Sequence, residues 1–200
     1  KEKIAFVCTP CQLKALRSMQ FGDKPAHNLT DHVELVIGLF CMEAYDFNLL
    51  KRLVEGEFGI NLEDVRKFDV KGGKFIVYTD RGKVKEISVN SSDLKERTAS
   101  ACKVCPDFTS ELSDISVGSV GSPDGYSTVI VRSETGMKFF KKFKENSKML
   151  EISPLEEVEP GIRLVEKLSN QKRESSDKEL DRLREEGEPI VPWAKETNLE

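Results

Sequence analysis

The chain has 200 residues, enough for one large domain or two small ones. It is 38% hydrophobic and 33% charged, so it can bury a substantial core beneath a charge-rich surface. Its formal net charge of −4 argues against a chain built mainly to hold nucleic acid, because phosphate binding leaves a basic footprint. No stretch approaches the roughly 20 apolar residues that a membrane span needs. The start, Lys1-Glu2-Lys3-Ile4, has neither an initiator Met nor a charged-then-apolar signal pattern. The expectation is a soluble, cytoplasmic unit that forms a piece of a longer protein.

Ile4-Ala5-Phe6-Val7-Cys8 reads as a short buried strand, and Thr9-Pro10-Cys11-Gln12 opens a helix. Thr9 suits the N-cap, Pro10 the first helical position, and Gln12 closes a capping box. Leu13, Leu16 and Met19 are the expected inner face. Cys11 then lies in the first turn, where free N–H groups and the positive end of the dipole favour an anionic sulfur. His27 and His32 follow around a polar loop and carry no expected role. Val33 to Phe40 is nearly continuous in apolar residues, which predicts a buried, parallel strand ending at Cys41. Phe47, Leu50, Leu53, Val54 and Phe58 predict a helix from about Met42 to Glu57, stopped by Gly59. Ligands gather at the carboxyl ends of strands in open α/β sheets, and two such ends here carry a cysteine.

From Val65 the period changes. Val65 to Val70, Phe75 to Thr79 and Val84 to Val89 are separated by Lys71-Gly72-Gly73-Lys74 and Asp80-Arg81-Gly82. They predict an antiparallel meander over about 65–90, with scaffolding as its plain role. Ser91 to Arg97 predicts a short helix, and Ala101 to Thr109 a loop. A strand from Ser113 to Val117 runs into a Gly-rich loop, Gly118 to Gly125, and then a strand from Tyr126 to Arg132. That loop suits a phosphate or a flavin edge, or serves only as a turn. Met137 to Asn146 predicts an amphipathic helix with Phe139, Phe140 and Phe143 among lysines. Gly161 to Lys172 predicts another. Ser176-Asp177-Lys178-Glu179 is a capping box for a short charged helix that stops at Gly187. Residues 171–200 carry six basic and nine acidic side chains, the composition of a solvated tail, with Trp193 as an anchor. The fold class expected is α/β (α+β), a mixed sheet with flanking helices plus the small meander.

The five cysteines are Cys8, Cys11, Cys41, Cys102 and Cys105. An odd count is a poor disulfide framework, and a chain of this size does not need one. Cys8/Cys11 and Cys102/Cys105 have C-x-x-C spacing, an inventory for a soft metal or for redox chemistry. Buried apolar thiols are the plain alternative. The Pro after Cys105 matches the C-P ending of ferredoxin-type ligand loops, although the pair alone suits zinc equally well.

Four segments in chain order, V-C-T-P-C-Q, L-F-C-M-E, C-x-x-C-P-D-F and D-I-S-V-G-S-x-G, resemble the coenzyme F420 hydrogenase/dehydrogenase beta-subunit family. The likeness covers about residues 1–173. It implies an iron–sulfur flavoprotein that passes electrons between coenzyme F420 and a second acceptor or donor, through FAD and a 4Fe–4S cluster. Hydride would move between rings, so no side-chain acid or base is required and no catalytic residue is nominated. The implied partners are other subunits of a hydrogenase, a formate dehydrogenase or an F420H2 dehydrogenase complex, with no nucleic acid and no direct membrane insertion. Relatives in phototrophs reduce hydroxymethyl chlorophyll. The implied cluster ligands are Cys11, Cys41, Cys102 and Cys105. Cys8 stands where the family pattern has Gly and has no role beyond spurious ligation or oxidation with Cys11. Flavin-facing backbone is implied at Thr9, Pro10 and Gln12 and at Gly118, Ser119 and Gly121.

The implied organisation is the family's C-terminal domain over 1–175, with a charged tail over 176–200. The family's N-terminal segment, which helps build the flavin and deazaflavin site, is expected to be absent, leaving a fragment inactive alone. Two rival readings stay open. One is a thiol–disulfide oxidoreductase using Cys8 and Cys11. The other is a non-enzymatic, metal-stabilised interaction module. Iron and sulfide content separates the three.

Overall fold

A computed structural model of the chain describes residues 2–90, 92–95, 97–147 and 151–190. The elements in chain order begin β1 (Ile4–Cys8), α1 (Pro10–Phe21), α2 (His27–Thr30), β2 (Val33–Leu39) and α3 (Phe47–Lys51), which continues as a π-helical turn, Arg52–Glu57. Next come β3 (Val65–Lys71), β4 (Lys74–Thr79), β5 (Gly82–Ser88), α4 (Ser92–Lys95) and α5 (Ser100–Lys103). The last are β6 (Ile115–Gly118), β7 (Thr128–Val131), α6 (Glu134–Asn146) and α7 (Gly161–Glu185). The expected fold class is the one observed. A mixed four-stranded sheet has the order β1-β2-β6-β7, and a separate antiparallel sheet has the order β3-β4-β5. The chain divides into two units, residues 1–42 with 104–200, and residues 43–103.

In the first unit β1, β2 and β6 run parallel and β7 returns antiparallel. Parallel neighbours need a crossover, and α1 supplies the one from β1 to β2. Leu13 and Leu16 of α1 are buried on Cys8 and Val36, with Phe6 and Val33 at the margin. Complete burial of Leu13 contributes roughly 1.5–3 kcal/mol. Met19, expected on that face, is exposed. Steps of three residues cover less than one 3.6-residue turn, so a 13-16-19 stripe rotates away from the sheet.

Two side chains hold the loop before β6 onto β2. Ser110, at φ 58 and fully buried, donates its Oγ–H to the Leu39 carbonyl at 2.7 Å. A Cβ on Gly38 would sit 2.2 Å from the Ser110 Cβ, so only glycine lets the loop lie this close. Asp114 accepts from Val36 N–H at 2.8 Å and from Ser133 Oγ at 2.6 Å, with Arg17 at 3.5 Å. Ser133 in turn caps α6, accepting from Gly136 N–H at 3.0 Å. One carboxylate therefore joins β2, α1 and the start of α6. That helix begins at Glu134, three residues before the expected Met137, and its Phe143 is exposed.

The second unit keeps the expected meander. Gly72 and Gly73, at φ 58 and 73, make the two-residue β3–β4 turn that demands left-handed backbone at both positions. Phe75 and Val77 of β4 pack with Leu53 and Leu94. The preceding helix is shorter than its apolar spacing suggests. Ala44 to Asp46 is instead extended against Arg97 to Ala99, with Asp46 N–H to Arg97 O at 2.7 Å and Ala99 N–H to Ala44 O at 2.8 Å. Helix starts only at Phe47, which is exposed rather than inward. The expected loop 101–109 is helical in its first part, as α5.

The largest difference lies at the end of the described chain. The helix expected to stop near Lys172 continues unbroken as α7, 25 residues long. Ser176 does not cap a new helix. It lies on the buried stripe Val165, Lys172, Ser176 and Leu180, spaced by seven, four and four residues. Leu180 packs on Val104. Gly187, at φ 68, follows the helix end as expected. Trp193 lies outside the described residues.

Candidate functional site

The parallel arrangement brings the carboxyl ends of β1, β2 and β6 to one edge of the sheet. Thr9–Gln12, Phe40–Cys41 and Gly118–Gly121 leave the sheet on that edge. At the first end, Gln12 Oε1 accepts from Thr9 N–H at 3.0 Å and from Thr9 Oγ1 at 3.1 Å, the expected reciprocal contact across the first turn. Pro10 is buried beneath it. Cys11 faces solvent, and its Sγ lies 3.3 Å from Thr9 Oγ1. Cys8, at the end of β1, is 2% exposed, and burial pushes its thiol up to about 11.

At the second end, Phe40 N–H donates to Val117 O and Cys41 N–H to Phe108 O, each at 2.9 Å. The Phe40 and Phe108 rings pack at 5.4 Å. Cys41 is therefore strapped to the segment that carries Cys105. The Cys105 thiol points back to Asp107 O at 3.8 Å. On the other side of Cys41, Lys172 of α7 donates its Nζ to the Cys41 carbonyl. Asp107 accepts from Glu111 N–H at 3.0 Å through one carboxylate oxygen, while the other is buried without a partner. Burial raises the Asp107 carboxyl above its usual range.

At the third end the glycines serve packing. A Cβ on Gly118 would lie 2.2 Å from the Phe40 ring. Gly121, at φ 96, accepts from Gly161 N–H at 2.9 Å, and its missing Cβ would meet Val165 Cγ2 at 2.7 Å. Ser119 between them is exposed. Cys102 belongs to the 43–103 unit, where its sulfur accepts Ala44 N–H at 3.3 Å.

The donor chemistry suits an iron–sulfur cluster. All five cysteines are thiols rather than disulfides, and Cys102 already takes an N–H···S bond of the kind that tunes such centres. Among the described residues no three Cys, His, Asp or Glu side chains gather around a single ion. A cluster asks for less crowding, since each thiolate binds a different iron. The Thr9–Gln12 helix start and exposed Ser119 offer backbone to an anionic cofactor, whereas Gly118 and Gly121 are already filled by Phe40 and Val165. The thiol–disulfide reading finds little support, because Cys8 is buried and held as the thiol.

A family model for the C-terminal part of the coenzyme F420 hydrogenase/dehydrogenase beta subunit matches residues 1–158. The chain belongs to this family. It is similar to the coenzyme F420 hydrogenase subunit beta of Methanococcus voltae, 41% identical over 189 residues that cover 94% of this chain and 66% of that one. The subunit of the same name from Methanothermobacter thermautotrophicus is 39% identical over 191 residues, with the same coverage. Among solved structures, a chain of the F420-reducing hydrogenase complex from Methanosarcina barkeri matches at TM-score 0.87 and 33% identity, over 96% of this chain and 66% of that one. The chain thus spans about two thirds of the length of these family members. No helix among its described residues is long and apolar enough to cross a membrane.

Sequence reasoning overlooked Lys172, Asp107 and Asp114. The spacing of Val165, Lys172, Ser176 and Leu180 carried a signal for the first. A polar pair on an otherwise apolar helical stripe marks inward residues with a task. Asp107 and Asp114 had no such signal, because loop burial is not written in local periodicity.

Proposed function

We propose that this chain is part of an electron-transfer oxidoreductase subunit. It oxidises or reduces coenzyme F420 through FAD and a 4Fe–4S cluster, and exchanges electrons with a partner subunit of a hydrogenase, formate dehydrogenase or F420H2 dehydrogenase complex. Cys11, Cys41, Cys102 and Cys105 are the proposed ligands. Thr9, Pro10, Gln12, Gly118, Ser119 and Gly121 are the proposed flavin-side backbone, with Gly118 and Gly121 acting by allowing the loop to pack. The bound groups would together convert a two-electron hydride transfer into single-electron steps.

The chain's own work is positioning. The Cys41–Phe108 bond holds two ligand-bearing segments side by side, and this observation carries the reading. Cys102 and Cys105 stay close through their covalent spacing. Phe40, Phe108 and the buried Leu13 face keep water from beneath the rim. No proton donor or acceptor on a side chain is needed.

Anaerobic purification with iron and acid-labile sulfide assay tests the proposal. About four of each per chain is expected. One zinc and no sulfide would refute it and favour the metal-stabilised module. Cys41→Ser is expected to lose most of the iron, whereas Cys8→Ser is expected to keep it.

A further inference from the structure

Lysine is almost never fully buried unless paired. Lys172 is 6% exposed, and its Nζ donates to the Cys41 carbonyl. Asp107, on the Cys105 segment, is a carboxylate that feels its charge, and its Oδ1 is buried without a partner. Ser176, one turn further along α7, is 1% exposed and its Oγ is also unpartnered. The two ligand-bearing segments therefore lie over a buried polar stripe of α7.

That stripe is fixed at both ends. Gly161 N–H bonds to Gly121 O at 2.9 Å at the start of the helix, and Leu180 packs on Val104 near its end. Arg173 pairs with Glu111 on the outer side. Cys41 is held from both directions, by Phe108 O on its N–H and by Lys172 on its C=O. An amine sunk in this position is compensated best by nearby anionic charge. Four thiolates around a 4Fe–4S centre supply such charge. The family model matches residues 1–158, and Lys172 lies after that span.

We propose that Lys172 is a positioning residue of the iron–sulfur site: its amine fixes the turn that presents the Cys41 thiol, and its positive charge favours the reduced centre. This rests on the ligand reading above. Two consequences are separable. The donor role acts on Cys41 geometry even without metal. The charge role acts on the reduction potential, because a fixed cation stabilises an added electron.

The test uses the whole chain and three variants. Lys172→Met keeps the stem and removes the amine, Lys172→Gln keeps a donor without charge, and Lys172→Arg keeps the charge. In metal-free protein, alkylation of Cys41 is followed by peptide mapping, with Cys11 as the internal control. Lys172→Met is expected to speed Cys41 labelling several-fold and leave Cys11 unchanged, while Lys172→Gln stays near the wild type. In anaerobically purified holoprotein, redox titration followed by electron paramagnetic resonance is expected to show a more negative midpoint for Lys172→Met and Lys172→Gln, restored by Lys172→Arg. Wild-type labelling and midpoint in Lys172→Met would overturn the proposal. If Lys172→Met fails to fold, a wild-type midpoint in Lys172→Gln overturns the charge role. A wild-type chain without iron refutes the ligand reading itself, and the Cys41 labelling still decides the donor role.

Discussion

Replacing Gly118 by Ala separates a glycine kept for packing from one kept for a cofactor. The new Cβ would stand 2.2 Å from Phe40 Cδ2 and Cγ and 2.6 Å from its Cβ. These atoms lie at the root of the side chain, so no small swing of a flexible tip relieves the clash. Either the Phe40 ring leaves its place 5.4 Å from Phe108, or the β2 and β6 ends part. Overpacking of this kind costs about 1–3 kcal/mol. For a chain of this length that corresponds to a fall of about 2–12 °C in Tm. Thermal unfolding by circular dichroism, on anaerobic protein, reads it directly. Phe40→Ala removes the obstacle at its own cost of about 1–3 kcal/mol for a half-buried ring. The double variant Gly118→Ala/Phe40→Ala should then be more stable than the two single costs predict, with a coupling of about 1 kcal/mol or more. An unchanged Tm in Gly118→Ala, together with lost FAD binding, would refute the packing argument and return the glycine to the flavin.

Asp114→Ala removes a carboxylate that accepts from Val36 N–H and Ser133 Oγ and lies near Arg17. Hydrogen bonds to a charged group are worth about 1.5–3 kcal/mol each, so a loss of about 3 kcal/mol or more is expected in denaturant melts; a change below about 0.5 kcal/mol would be inconsistent with its joining three elements. Cys8, with its thiol pushed up to about 11, should resist iodoacetamide in the native apo chain at pH 8 and gain reactivity only as pH approaches that value. Rapid native labelling of Cys8 at pH 8, mapped by mass spectrometry, would contradict its burial.

The features legible in the sequence are local. The Thr9–Gln12 capping box, Pro10 at the helix start and the Gly72-Gly73 turn each act within four residues, and each is present as expected. The start of the helix before the meander departs from expectation for the opposite reason. Phe47 to Phe58 has helical apolar spacing, but Ala44 to Asp46 finds backbone partners in Arg97 to Ala99, more than fifty residues away in the chain. Ser176 departs because S-x-x-E describes a cap only where the backbone is free to begin a helix. In α7 it already lies inside one.

The sequence by itself determined the strand–helix junctions and the meander, because short-range backbone chemistry suffices for these, while the candidate ligands Cys11, Cys41, Cys102 and Cys105 came from the family resemblance of its motifs. Only the tertiary structure decided which chain segments lie side by side. The parallel order of β1, β2 and β6 turns three distant chain segments toward one edge. The strap from Cys41 to Phe108 crosses 67 positions of sequence, and the bond from Lys172 to Cys41 spans 131. Contacts at such separations depend on which faces are buried against each other, and burial is a property of the packed whole that no local pattern contains.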